Sequence, residues 1–121
     1  MAGKRDEIKR TGGNGRRSTC VAHGGLVYVS GITTVDIAAD VRGQAQDVFS
    51  QMDRLLAANG ASKDSVLSAT VYLGTMADFG DFNAEWDLWV TDAYEPALSV
   101  VQAALPLPEY RVMVSLIAAQ E

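Results

Sequence analysis

Residues 41–56 constrain this chain more than any other stretch. Val41, Ala45, Val48, Phe49, Met52, Leu55 and Leu56 recur at spacings of three and four. That period puts them on one stripe of an α-helix. Asp40 is placed to cap the start, and Asn59-Gly60 to stop the helix near Ala58, since both tolerate the left-handed conformation at a helix end. A helix that is apolar on one side must lie on something apolar. Ser65–Leu73 is such a surface: Leu67, Ala69, Val71 and Leu73 alternate with Ser68, Thr70 and Tyr72. That is the two-residue period of a strand with one face in a core.

The remaining chain repeats these two patterns. Residues 78–91 form a second amphipathic helix, with Phe79, Phe82, Trp86, Trp89 and Val90 on one side. Ser18–His23 and Leu26–Gly31, split by Gly24-Gly25, read as a β-hairpin. Pro96 favours an extended continuation, so Ala97–Ala103 is expected as a strand. Leu105–Pro108 is a stiff connector. Arg111–Ala118 is a last strand, with Val112, Val114 and Leu116 on one face and Arg111, Met113 and Ser115 on the other. Residues 11–17 are glycine-rich and basic and read as a mobile loop, and residues 1–15 as partly flexible.

This order of elements predicts an α+β fold: one domain over residues 1–121, with both helices on one face of a single sheet. The other sheet face then has no cover from its own chain. Tyr28, Leu98 and Val100 are candidates to lie there. An uncovered apolar sheet face points to a partner subunit.

Composition excludes several classes. The net charge of −5 argues against nucleic acid and anionic membrane as partners. No apolar run approaches the roughly 18 residues that span a bilayer. The stretch Met1–Glu7 lacks the apolar centre of a secretory signal. A single cysteine, Cys20, cannot form an internal disulfide, which suits the reducing cytoplasm. There is no Walker loop, dinucleotide glycine fingerprint or metal-ligand cluster.

The segment Glu95-Pro-Ala-Leu-Ser-Val-Val-Gln-Ala-Ala-Leu-Pro106 resembles the Pro-Ala-Arg-Ser-x-Val-x-x-x-x-Leu signature of the Rid (YjgF) family of reactive-intermediate imine deaminases. Leu26–Gly31 resembles that family's Val-Tyr-x-Ser-Gly strand. Met76-Ala-Asp-Phe79, with Phe82-Asn83, resembles its second-helix opening, and Leu116–Ala119 its closing strand. The likeness covers roughly residues 16–119. It implies a homotrimer of chorismate-mutase-like subunits, each a mixed sheet facing inward, with small-molecule pockets at the subunit interfaces and no cofactor. It places ligand contacts at Ser30, Gly31, Phe82, Asn83, Leu98, Val100 and Met113.

Two positions depart from that pattern. Leu98 stands where the family's arginine binds the substrate carboxylate, and leucine offers neither donor nor charge. Met113 stands where a glutamate holds water, and a thioether cannot deprotonate water. The family's early-loop aromatic appears here as Arg17. The resemblance therefore implies an apolar interface pocket with altered chemistry on an imine, enamine or related reactive intermediate, by hydrolysis, tautomerisation or cyclisation. Ordinary 2-imino-acid deamination is expected to be weak. The alternative is a non-catalytic small-molecule-binding or structural trimer on the same scaffold.

Arg17, Tyr94 and Glu95 are the candidate catalytic residues. Arg16 and Arg17 either stay in water, or one reaches over the pocket in place of the missing guanidinium. Tyr94-Glu95 precedes Pro96, which the resemblance puts at the pocket mouth. His23, beside the hairpin turn, reads as a surface residue, and Cys20 as a small buried hydrophobe. Helical spacing makes Phe82, Trp86 and Trp89 core residues, although the resemblance also sets Phe82 near the ligand.

Overall fold

A computed structural model describes residues 7–121. Its elements are β1 (Lys9–Thr11), β2 (Cys20–His23), β3 (Leu26–Ile32), α1 (Val41–Ala58), β4 (Val66–Leu73), α2 (Phe79–Trp89), β5 (Ala97–Gln102) and β6 (Val112–Ala119). The strands form one six-stranded sheet in the order β1-β2-β3-β6-β4-β5. β6 runs antiparallel to both β3 and β4, and β5 runs parallel to β4. β3, β4 and β5 therefore all point the same way. The connections β3–α1–β4 and β4–α2–β5 also step in the same direction along the sheet. Crossovers between parallel strands are right-handed, so both helices land on one face. This is the α+β architecture read from the sequence.

The core lies between that face and the helices. Val27, Val29, Val71, Leu73, Val112, Val114 and Leu116 of the sheet are buried with Ala45, Val48, Met52 and Leu56 of α1 and Phe82 and Trp86 of α2. Phe49 joins the two helices. Its ring stacks on Trp89 at 4.6 Å and 7° and tilts against Phe82 and Trp86 at 6.0 Å each. Aromatic pairs of this kind add about 0.5–1.5 kcal/mol each beyond their buried area. The indole N–H of Trp89 donates to Asp53 Oδ1 at 3.0 Å, so the ring packs without losing its hydrogen bond.

Buried polar groups fix the connections. Asp40 caps α1, accepting from the Gly43 N–H at 2.9 Å. Gln44, fully buried, donates to the carbonyls of Ala39 and Glu109 and accepts from the Arg111 N–H at 2.8 Å, tying α1 to the approach to β6. Arg111 in turn grips the buried Asp78 through two hydrogen bonds of 2.9 and 2.8 Å.

Lys9–Thr11 pairs with Cys20–Ala22 as an edge strand; residues 1–6 of the stretch expected to be partly flexible lie outside the described residues. One expectation changes: Leu67 was placed on the core face, but it is 50% exposed. The β4–β6 register shifts between Val66 and Ser68, and this bulge turns Leu67 outward.

Asp47 gives a direct test of the packing. Its carboxylate accepts from Gln51 Nε2 at 2.9 Å, the Val35 N–H at 3.0 Å and Thr34 Oγ1 at 3.2 Å. Burial alone would raise its pKa. The hydrogen bonds from Val35, Gln51 and Thr34, with the charge of Arg54, outweigh that and hold the carboxyl below its ordinary range. A depressed folded pKa contributes stability above the unfolded value, and the contribution is lost as pH falls through the folded value. Asp47→Asn is thus expected to cost on the order of 1–3 kcal/mol in urea denaturation at pH 7. It should also flatten the loss of stability on acidification below about pH 4. Identical acid slopes for wild type and variant would remove Asp47 from this role.

Candidate functional site

The sheet face turned away from the helices carries the candidate site. In β4 and β6 the residues buried beneath the helices alternate with Ser68, Thr70 and Tyr72, and with Met113, Ser115 and Ile117. Those six therefore project to the open side. Ser99 of β5 aligns with Thr70, and Thr70 with Ser115 of β6. In β3, Val29 pairs with Leu116 but Ile32 pairs with Val114, so Ser30 and Gly31 together oppose Ser115 in a bulge. A row of hydroxyls, Ser99–Thr70–Ser115–Ser30, thus crosses four neighbouring strands.

The row has an apolar side and a hollow side. Tyr72 pairs with Met113, and the Met113 sulfur lies only 2.7 Å from where a Cβ on Gly31 would sit. Glycine at 31 is what lets the methionine lie flat on the strand. On the other side, Tyr28, Ile117 and Ser68 join Thr70 and Ser115 around a shallow depression of about 150 Å³. Within one subunit the face is mixed in character.

The loop before β2 closes over one end of the row. Asn14 Oδ1 accepts from the N–H groups of both Arg16 and Arg17 at 2.9 Å, and the Asn14 N–H donates to the Arg17 carbonyl at 3.1 Å. Thr19 Oγ1 donates to the Gly12 carbonyl at 3.1 Å. Gly12 and Gly15 supply the positive φ angles, 69° and 86°, that this fold-back requires. The segment expected as a loop is a hydrogen-bonded turn. It aims Arg17 at β3, where Nη1 donates to Ser30 Oγ at 2.6 Å. Among the described residues no carboxylate pairs with Arg17, whereas Arg42 pairs with Asp81 and Glu85 and Arg111 with Asp78.

The structure brings Arg17, Ser30, Gly31 and Met113 together and separates the other candidates from them. Leu98, 38% exposed, aligns with buried Ala69, and Val100 aligns with buried Val71 and packs on the core. Both therefore face the helix side, contrary to the expectation that they lie on the open face with Tyr28. β4 lies between Met113 and Leu98, so the two share no wall within one subunit. Phe82 is fully buried in the aromatic cluster and does not reach the open face. Asn83 is half-buried on α2. Tyr94, 56% exposed, and Glu95 follow Ala93, which holds a left-handed φ of 72°. Their chain turns through a Tyr94 N–H bond to the Thr91 carbonyl at 3.0 Å and leads into β5.

Two reactive side chains lie elsewhere. Cys20 is 1% exposed, and burial pushes its thiol up against the opposing hydrogen bond with Thr11, which leaves it a poor nucleophile. His23 is exposed, its ring Nδ1 lying 3.2 Å from the Glu7 carbonyl. Among the described residues no group of three His, Cys, Asp or Glu is placed to hold a metal ion. No helix among them is long and apolar enough to cross a membrane.

A split pair of parallel crossovers with one open sheet face and a polar row across it defines a recognisable class. The sequence profile described as Endoribonuclease L-PSP matches residues 8–120, and the chain belongs to this family, also called YjgF or Rid. Its relatives include the RutC family protein YoaB of Escherichia coli, 34% identical over 112 residues, which cover 93% of this chain and 97% of that one. A chloroplast protein of Arabidopsis thaliana, Reactive Intermediate Deaminase A, is 33% identical over 100 residues, covering 77% of this chain and 53% of that one. A YjgF family member from Neisseria meningitidis superposes with a TM-score of 0.92 at 35% identity, covering 97% and 98% of the two chains.

The contact between Gly31 and Met113 is testable. Gly31→Ala should push the methionine aside and lower stability. In a Met113→Ala background the same change should cost less, by more than about 0.5 kcal/mol. Equal costs in the two backgrounds, measured by urea denaturation, would separate these residues.

Proposed function

We propose that this protein acts on an imine, an enamine or a related reactive small molecule, in pockets formed where the open sheet faces of a homotrimer meet. The observation that carries this reading is the open face itself, which sets a guanidinium and a row of hydroxyls where the described residues supply no cover. Membership of a family with a small-molecule-processing role supports it, as does a relative named for deaminating reactive intermediates. In the hydrolytic case a water oxygen bonds to the imine carbon and the water protons pass to nitrogen. The carbon–nitrogen bond then breaks, leaving a carbonyl compound and ammonia. Arg17 would hold or polarise the substrate. Tyr94, Glu95, Leu98 and Val100 would reach the same pocket only from a neighbouring subunit.

One observation favours a second reading, a trimer that binds a small molecule without turning it over. The strand positions around Met113 and Ser115 (Tyr72, Thr70, Ser30 and Gly31) carry no carboxylate or imidazole to act as a base.

Light scattering at micromolar concentration should give three times the chain mass, and a monomer mass would remove the interface pocket. Ammonia release from imines made in situ should exceed the uncatalysed rate. With 2-aminoacrylate, kcat/KM should fall about 30-fold below that of an arginine-bearing relative, since a lost charged hydrogen bond costs about 2 kcal/mol. Equal rates would contradict the significance of Leu98. No acceleration for any imine by an intact trimer would leave the binding reading.

A further inference from the structure

The helix layer carries a feature that the open sheet face does not explain. Gln46, Phe49, Ser50 and Asp53 recur along α1 at spacings of three and four, and Glu85, Leu88 and Trp89 do the same along α2. Together they line a shallow groove of about 240 Å³ between the two helices. We infer that this groove docks a basic, amphipathic helix of a partner protein. An apolar side chain of that helix sits beside Leu88 and Trp89, and a lysine or arginine is set against Asp53.

The apolar contact rests on what lies together in the groove. A single exposed leucine is ordinary on a protein surface. Leu88 is 78% exposed, but it borders a groove that is also lined by the stacked rings of Phe49 and Trp89. An apolar side chain entering there removes water from Leu88 and from both ring edges at once. Tryptophan is among the residue types on which binding energy concentrates at interfaces. The volume suits one side chain better than a whole small molecule, whose pockets run from about 300 to 1,000 Å³. A ridge of a third helix fits between two helices lying side by side, and it presents anchors at the same three- and four-residue spacings.

Charge decides the character of the occupant. Asp53 on α1 and Glu85 on α2 both line the groove, and α2 carries no lysine or arginine. The two nearby guanidiniums are engaged. Arg42 pairs with Asp81 and Glu85, and Arg54 donates to Ser50 Oγ at 3.0 Å and acts on Asp47. Among the described residues Asp53 meets no cation and accepts only the Trp89 indole N–H. A neutral occupant would take water from that carboxylate without replacing it, which is costly. A cation replaces that water with a charged hydrogen bond. The net charge of −5 also attracts a basic partner during approach. In a trimer whose open sheet faces meet, the helix layer points outward, so the groove stays accessible.

The test is a titration of the full chain with a blocked, alanine-based helical peptide of about 16 residues. It bears leucines at i and i+4, flanking lysines and no aromatic residue. Trp86 and Trp89 are the only two tryptophans of the chain, and Trp89 lines the groove, so fluorescence reports on it directly. The emission should change saturably with a dissociation constant of about 100 µM, and rising salt should weaken binding. Leu88→Ser should weaken it about tenfold with an unchanged melting temperature, because the side chain is exposed. Asp53→Asn keeps an oxygen for the Trp89 N–H and removes the charge. It should weaken binding about threefold and reduce the salt dependence. Exchanging the lysines of the peptide for glutamates should abolish binding.

The inference is overturned by no saturable change at about 1 mM peptide, by equal binding of the glutamate peptide, or by Leu88→Ser binding as tightly as wild type. Binding of n-butylammonium as tight as that of the peptide would assign the groove to a small organic cation. A fall in native mass on Leu88→Ser, read by light scattering, would assign it to a second copy of this chain. Either of these results also overturns the inference.

Discussion

The common direction of β3, β4 and β5 is the constraint on which the rest of this molecule depends. Two crossovers of one hand, stepping the same way along one sheet, put α1 and α2 side by side on a single face. That layer is sealed by Phe49 between the aromatic rings of α2. Among the described residues nothing remains to cover the opposite face, which carries a mixed set of side chains: Tyr28, Met113 and Ile117 beside Thr70, Ser115 and Ser30. A fold with helices on both faces would have required apolar residues at all of these positions.

Local irregularity then gathers the candidate residues on the open face. A regular β3 would have sent Ser30 and Gly31 to opposite sides. The bulge before Ile32 keeps both near Met113 and Ser115. The Asn14 turn brings Arg17 onto the Ser30 hydroxyl from outside the sheet. β5 carries Leu98, aligned with the buried Ala69, and no positive charge, while Arg17 stands at the end of the hydroxyl row.

Much of the fold was legible because it rests on periodicity. The α1 stripe, its Asp40 cap and the alternation in β4 and β6 were all readable from residue spacing, and each is as expected except at Leu67. The site was legible only in part. Ser30, Gly31 and Met113 were named from family likeness, and Arg17 was one of two open alternatives. The hydroxyl row was missed, since it joins β5, β4, β6 and β3, whose order in the sheet differs from their order in the chain. The polar alternation of Ser68 and Thr70 was visible, but its partners across the sheet were not. Leu98 and Val100 were misplaced for a related reason. β5 carries apolar residues at 98, 100 and 101, so its own sequence does not mark which face is which, and only the register with Ala69 and Val71 decides it.

The most direct test is a crystal structure of the assembled protein soaked with the stable carbonyl product of an imine. Density is predicted on the open sheet face, within hydrogen-bond distance of Arg17. Density confined to the helix side of β5 beside Leu98, with the Arg17–Ser30 end of the hydroxyl row empty, would contradict it.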